Sequence, residues 1–247
     1  MIRFDHVSKS FGDLKVMKDI TTVIHEKEIT YIIGASGTGK SVFVKHIVGQ
    51  LLPDNGKVLV DGVDVTSASK KTLFKVRKNC VLVFQLSTLF DSMTLAENVA
   101  LPLRVHKKMR KKAAVEMAMH YLEMVNMQDK PDLMPQEVGP SEQKRVSIAR
   151  ALTMEPKYMI MDEPTTGLDV IAAANVDEMI RHLQRNLGVT VIVVSHDLRS
   201  IMTVAQRIIF LYKGNIFLDG TPEIFRQSKD PIVRQFLGGA PEGLMET

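Results

Sequence analysis

Residues 34–41 carry the densest chemistry in the chain. Gly34, Ala35, Ser36, Gly37, Thr38, Gly39, Lys40 and Ser41 match G-x-x-x-x-G-K-[ST]. Glycines at this spacing let backbone N–H groups curl around phosphate oxygens without Cβ clashes, and a following helix adds the positive end of its dipole. A lysine at position 40 can reach β- and γ-phosphate oxygens, and the Ser41 hydroxyl can ligate Mg²⁺. Asp162 and Glu163 follow the apolar run 158–161. A strand that delivers two carboxylates to its C-terminal end places them where α/β sheets bind ligands. There Asp162 would hold Mg²⁺ through water and Glu163 would act as general base on an attacking water.

Two weaker signals lie at other strand ends. His196 follows the apolar run 191–194, where an imidazole can touch a γ-phosphate; the competing reading is a polar cap built from Ser195 or Asp197. Gln85 follows the run Cys80–Phe84, and a neutral amide there can ligate Mg²⁺ and report nucleotide state. By itself Gln85 is a weak signal.

These residues need a scaffold, and the chain supplies one. Short apolar runs (2–7, 29–33, 80–84, 159–161, 190–194, 208–212) read as strands. Helical patterns at 41–48, 69–78, 170–187 and 198–205 alternate with them. Such alternation predicts an α/β fold with a mainly parallel sheet covered on both faces. Asp61-Gly62 and Lys213-Gly214-Asn215 read as hairpin turns. Between 86 and 153 strand runs vanish and Met- and Ala-rich helical patterns take over, with helices expected over 113–125 and 141–152. This stretch reads as a helical insertion into the α/β body.

Composition narrows the class. The 247 residues are 45% hydrophobic and 24% charged, which excludes a disordered or collagen-like chain. No apolar run approaches 18 residues and no apolar leader follows Met1, so a membrane span or secretory signal is not expected in this sequence. A single cysteine, Cys80, cannot form an internal disulfide and fits a reducing compartment. The net charge of +4 is too small to argue for nucleic acid.

The order of these motifs resembles the ABC transporter ATPases. It runs from the P-loop through Gln85, the helical insert, Arg145–Leu152 and Asp162-Glu163-Pro164 to Gly167-Leu168-Asp169 and His196. The resemblance covers nearly the whole chain and implies a P-loop NTPase (RecA-like) fold with N-terminal antiparallel strands and an inserted α-helical subdomain. It implies one domain over 1–247, with 1–85 and 154–247 as core and 86–153 as insert. By position, Gln85 becomes the Q-loop residue, Gly167, Leu168 and Asp169 the D-loop that contacts a second subunit, and His196 the switch histidine. Phe11 falls where the family stacks an aromatic on adenine. The implied cofactors are ATP and Mg²⁺.

The stretches 76–104 and 230–237 further resemble ATPase subunits of Mla/Mce-type lipid transporters. That narrower resemblance implies a homodimer at the cytoplasmic face of the inner membrane. It would drive an integral membrane permease that exchanges phospholipid with a periplasmic lipid-binding subunit. No nucleic acid partner is implied. The rivals are a soluble ATPase working on ribosomes or DNA, the same machine with another cargo, and a nucleotide-binding module without turnover.

One segment departs from the family. Val138, Gly139, Pro140, Ser141 and Glu142 occupy the place of the LSGGQ-type signature, whose serine hydroxyl and glycine N–H groups bind the γ-phosphate in the opposite subunit. Gly139 has no hydroxyl, Pro140 has no N–H, and Glu142 brings a carboxylate to the helix N-terminus. Hydrogen bonds to charged groups are worth roughly 1.5–3 kcal/mol each, so a weakened composite site and slow turnover are expected.

The remaining features read as structure. Leu86 is expected to pack, as are Met117, Met119, Met124 and Met127. Cys80 is expected to be inert, and the basic run 107–112 reads as a solvated helix start rather than a lipid contact.

Overall fold

A computed structural model describes residues 1–238. The first half of the chain contains β1 (Ile2–Phe11), β2 (Leu14–Ile24), β3 (Ile29–Ile33), α1 (Lys40–Ile47), β4 (Asn55–Val60), β5 (Val63–Asp64), α2 (Lys70–Asn79) and β6 (Cys80–Val83). Helices α3 (Leu95–His106), α4 (Lys111–Met124) and α5 (Pro140–Leu152) then follow without an intervening strand. The chain continues through β7 (Tyr158–Asp162), α6 (Val170–Leu187), β8 (Thr190–Val194), α7 (Leu198–Val204), β9 (Arg207–Tyr212), β10 (Asn215–Gly220), α8 (Pro222–Gln227) and α9 (Pro231–Gly238).

Two sheets result. One is antiparallel, in the order β2-β1-β4-β5; the other is β10-β9-β3-β8-β7-β6, parallel except for the β9–β10 hairpin at its edge. Strands β3 (ITYII) and β8 (TVIVV) are buried along their whole length, as continuous apolar strands covered on both faces must be. Their alternate side chains feed two cores. Tyr31, Met159, Met161, Val191 and Val193 face the helices α3 to α6, while Ile32, Tyr158, Ile160, Ile192 and Val194 face α1 and the antiparallel sheet. Phe43 of α1 stacks on Phe4 of β1 with ring centroids 4.0 Å apart, which wedges the P-loop helix between the two sheets.

The helix boundaries follow local chemistry. Asp169 caps α6 by accepting from the N–H groups of Ile171 and Ala172, each at 2.9 Å, and Gly188 ends it at φ 64°. Thr94 and Glu97 close a capping box at the start of α3. The packing expectations hold in part. Met127 is buried and Met119 and Met124 pack on the core, but Met117 is exposed. Leu86 does not pack: it is 79% exposed, because the loop after β6 turns its side chain outward. Cys80 is buried, and burial pushes its thiol up to about 12, which leaves it unreactive.

Candidate nucleotide-binding and hydrolysis site

The C-terminal ends of β3, β6, β7 and β8 converge on one cleft of about 380 Å³. Phe11, Ser36, Gly37, Gly39, Lys40, Ser41, Gln85, Asp162 and Glu163 line it. Residues separated by more than 150 positions in sequence thus share one wall.

The P-loop backbone is tightly constrained. A Cβ on Gly34 would lie 2.5 Å from the Leu211 carbonyl oxygen, and one on Gly39 would lie 2.8 Å from Val16 Cγ1. Only glycine fits at either position. Gly39 also takes φ 95° as the residue before α1. Thr38 Oγ1 donates to the Ala35 carbonyl at 2.9 Å and ties the loop to itself. Lys40 Nζ donates to the carbonyls of Gly34 and Ala35, both at 2.9 Å, so its ammonium lies inside the curl of the loop. Burial lowers its pKa, and the carboxylates of Glu163 and Asp162 oppose that shift.

The carboxylate pair has two distinct environments. Burial raises the pKa of Asp162, the charge of Glu163 adds to the rise, and a hydrogen bond from Ser41 opposes it. Ser41, Asp162 and Gln85 line the cleft together, and their oxygen atoms would suit a hard ion such as Mg²⁺. Among the described residues no group of three or more His, Cys, Asp or Glu forms a metal cage. A cation at this site therefore needs phosphate oxygens to complete its shell, as Mg²⁺–nucleotide sites do.

Glu163 sits at φ 49°, a left-handed conformation uncommon for a non-glycine residue, and its N–H donates to the Val194 carbonyl at 2.8 Å. Its carboxylate accepts from Thr166 Oγ1 at 3.1 Å and meets His196 Nδ1 at 2.9 Å. The polar cap weighed for the segment after β8 is present. Asp197 caps α7 by accepting from the N–H groups of Arg199 and Ser200, while His196 turns to Glu163.

Phe11 is 47% exposed at the rim of the cleft, with Lys9 Nζ 5.5 Å from its ring centroid. It is free of the core and offers a face for stacking. The signature segment and the D-loop lie elsewhere. Gly139 N–H donates to Glu142 at 3.1 Å, and the Glu142 carboxylate pairs with Lys130 at 2.6 Å. Lys130 holds that carboxyl below its usual pKa, and burial works against it. In the D-loop Gly167 takes φ 79°, Leu168 packs on the core and Asp169 caps α6. Neither segment touches the cleft of its own chain.

Sequence reasoning missed a second set of residues around Gln85. Lys144, only 3% exposed, donates from Nζ to the carbonyls of Phe84 at 2.9 Å and Gln85 at 2.5 Å. Ser147 Oγ donates to the Ser87 carbonyl at 2.5 Å, and Arg150 donates to the Thr88 carbonyl at 3.0 Å. The three residues recur every third position on α5 and so form one face. Burial lowers the Lys144 pKa to about 8, with the Asp162 charge pulling it back up. Ser147 and Arg150, the polar residues of the otherwise apolar stretch 146–152, stand at three-residue spacing from Lys144, and that spacing is the signal in the sequence.

Comparison with known proteins identifies the family. The family model described as ABC transporter matches residues 17–166. The glutamine transport ATP-binding protein GlnQ of Geobacillus stearothermophilus is 38% identical, with 96% of this chain and 98% of GlnQ aligned. The intermembrane phospholipid transport system ATP-binding protein MlaF of Escherichia coli K12 is 35% identical, covering 96% of this chain and 88% of MlaF. The dimeric post-hydrolysis structure of the ATP-binding cassette MJ0796 with ADP and Pi superimposes with a TM-score of 0.80 at 29% identity, over 90% of this chain and 99% of MJ0796. The chain therefore belongs to the ABC transporter family, as an ATPase subunit that binds ATP with Mg²⁺.

Proposed function

We propose that the chain is the ATP-hydrolysing subunit of a phospholipid-transporting ABC complex and that its turnover is slow. The observation that carries the hydrolytic reading is the Glu163 carboxylate, held by His196 and Thr166 beside Lys40 and Asp162. Glu163 takes a proton from water as its oxygen attacks the γ-phosphorus and the bond to the ADP oxygen breaks. Lys40 leaves the Gly34 and Ala35 carbonyls to meet the phosphate oxygens, and His196 steadies the developing charge. Phe11 stacks on the adenine. Ser41, Gln85 and, through water, Asp162 would hold Mg²⁺, which would supply neutralisation of phosphate charge.

Two copies of the chain complete the site, residues 138–142 of one facing the P-loop of the other across the D-loops. The cassette MJ0796 with ADP and Pi is itself dimeric. Slow turnover follows from the signature segment, where Pro140 offers no N–H and the Gly139 N–H is already used by Glu142. The triple variant Gly139→Ser, Pro140→Gly, Ser141→Gly restores the absent donors. It is expected to raise steady-state turnover by about tenfold or more, one hydrogen bond to a charged group being worth ~1.5 kcal/mol. An unchanged rate would mean that the segment does not limit the cycle.

The partner is an integral membrane permease. A groove of about 330 Å³ beside the Gln85 loop, walled by Phe74, Phe84, Pro102 and His106, receives a permease segment, with Leu86 and Phe90 exposed nearby. Phospholipid as cargo, the inner-membrane location and a periplasmic lipid-binding subunit rest on the likeness to MlaF; GlnQ, named for glutamine transport, is similarly close. Reconstitution with the permease tests both parts. ATP-dependent movement of labelled phospholipid is expected. Movement of glutamine instead would overturn the cargo, and failure of the permease to co-purify would overturn the docking.

A further inference from the structure

The groove has a strongly cationic border that nucleotide chemistry does not use. Helix α2 carries five Lys or Arg residues in ten positions, and residues 107–112 carry five more. No Asp or Glu occurs between Asp64 and Asp91, or between Glu97 and Glu116. The fold brings the two runs together, for the Phe74 ring of α2 lies 5.9 Å from the His106 ring that ends α3. Among the described residues two cations of the second run pair with carboxylates, Lys107 with Glu155 and Lys111 with Glu97, each at 2.6 Å. These ten residues hold nearly a third of the chain's 32 Lys and Arg, although its net charge is only +4. The charge is therefore concentrated rather than spread.

We propose that this face binds the anionic headgroups of a bilayer surface directly, alongside the permease. Three observations favour lipid over an acidic protein or a nucleic acid. Eight of the ten cations are lysines, point charges that respond to a diffuse surface potential rather than to the planar geometry that arginine reads. Apolar side chains stand among them, Phe74 at 51% and Val105 at 50% exposure, the mixture that seats a helix at a headgroup boundary. Finally, Phe74, Arg77, Lys78 and His106 wall the permease groove itself, so whatever lies around the docked permease also faces these cations. That last point rests on the docking reading above; the measurement below does not.

The test is co-flotation of the purified full-length chain with vesicles, without any permease. Wild type is expected to float with phosphatidylglycerol-containing vesicles, to ignore pure phosphatidylcholine vesicles, and to be released as salt rises to about 0.5 M, where screening is short-ranged. The variant Lys71→Glu, Lys75→Glu, Lys108→Glu, Lys112→Glu changes exposed positions outside the cleft and the groove. It should partition at least about tenfold more weakly. Its unfolding temperature and ATP turnover should match wild type.

Equal flotation of the variant, or no preference for anionic vesicles, would overturn the proposal. Duplex DNA that displaces the vesicles at equal phosphate concentration would reassign the face to nucleic acid. Vesicle binding combined with failure of the permease to co-purify would leave this proposal standing and remove the docking reading.

Discussion

Glu163→Gln is expected to slow steady-state ATP turnover by about 10²–10⁴-fold, the range a positioned general base contributes. The substitution keeps the size and planarity of the side chain and removes its capacity to accept a proton. Glutamine still has one oxygen for Thr166 Oγ1 and an amide to place near His196, so the left-handed turn at Glu163 and its N–H bond to Val194 need not change. Lys40, Ser41 and Phe11 are untouched, so affinity for a fluorescent ATP analogue should stay within about twofold, as a loss confined to the transition state requires. Phosphate release from the purified complex, measured beside nucleotide affinity, separates the two quantities. Equal background rates for wild type and variant would remove the hydrolytic reading and leave a nucleotide-binding module. A parallel loss of affinity would make Glu163 a binding residue.

Lys144→Met is expected to give the largest loss of stability among single changes near the site, about 1–3 kcal/mol, with a fall in melting temperature of roughly 2–4 °C per kcal/mol. Methionine fills the space of the lysine stem but donates nothing, so the Phe84 and Gln85 carbonyls lose their shared donor. Relief of the buried ammonium's desolvation offsets part of that loss, which keeps the net figure below the sum of two charged hydrogen bonds. The sharper readout is local. Amide hydrogen exchange over residues 84–88 should accelerate while β6 stays protected, and Lys144→Gln, which keeps one donor, should recover part of the protection. Unchanged exchange in the methionine variant would mean that Ser147 and Arg150 suffice to hold the loop.

Much of this protein is legible in its sequence, for identifiable reasons. The parallel strands read well because each is a continuous apolar run buried on both faces, and Thr190–Val194 and Val170–Leu187 match their expected bounds residue for residue. Helix α6 has a clear apolar stripe between an Asp cap and a Gly stop. Strand β2 falls in the first 35 residues, which read as short strands, but its bounds do not show, because three register shifts along β1 break the two-residue alternation. Helix α3 was never bounded, since Pro102 lies inside it and its packing rather than its propensity holds it together. The loop before α3 depends on Asn98, which is fully buried and bonds the backbone of Phe90, Met93 and Thr94, a role no local pattern announces.

The cleft residues were legible because each sits in a short motif at a strand end. The α5 face was not, because its partners are backbone carbonyls some 60 positions away.

That way of gripping the Gln85 loop has a consequence for how the protein diversifies. Lys144, Ser147 and Arg150 hold main-chain oxygens, which every amino acid supplies, so the hold on the loop scarcely depends on which side chains it carries. Only Thr88, whose Oγ1 also accepts from Arg150 at 3.0 Å, is held by its side chain. If a membrane subunit docks in the groove as proposed, Leu86, facing solvent beside it, can be exchanged to suit a different one while the loop keeps its course. Partner choice and catalytic geometry, though adjacent in the chain, are free to evolve separately.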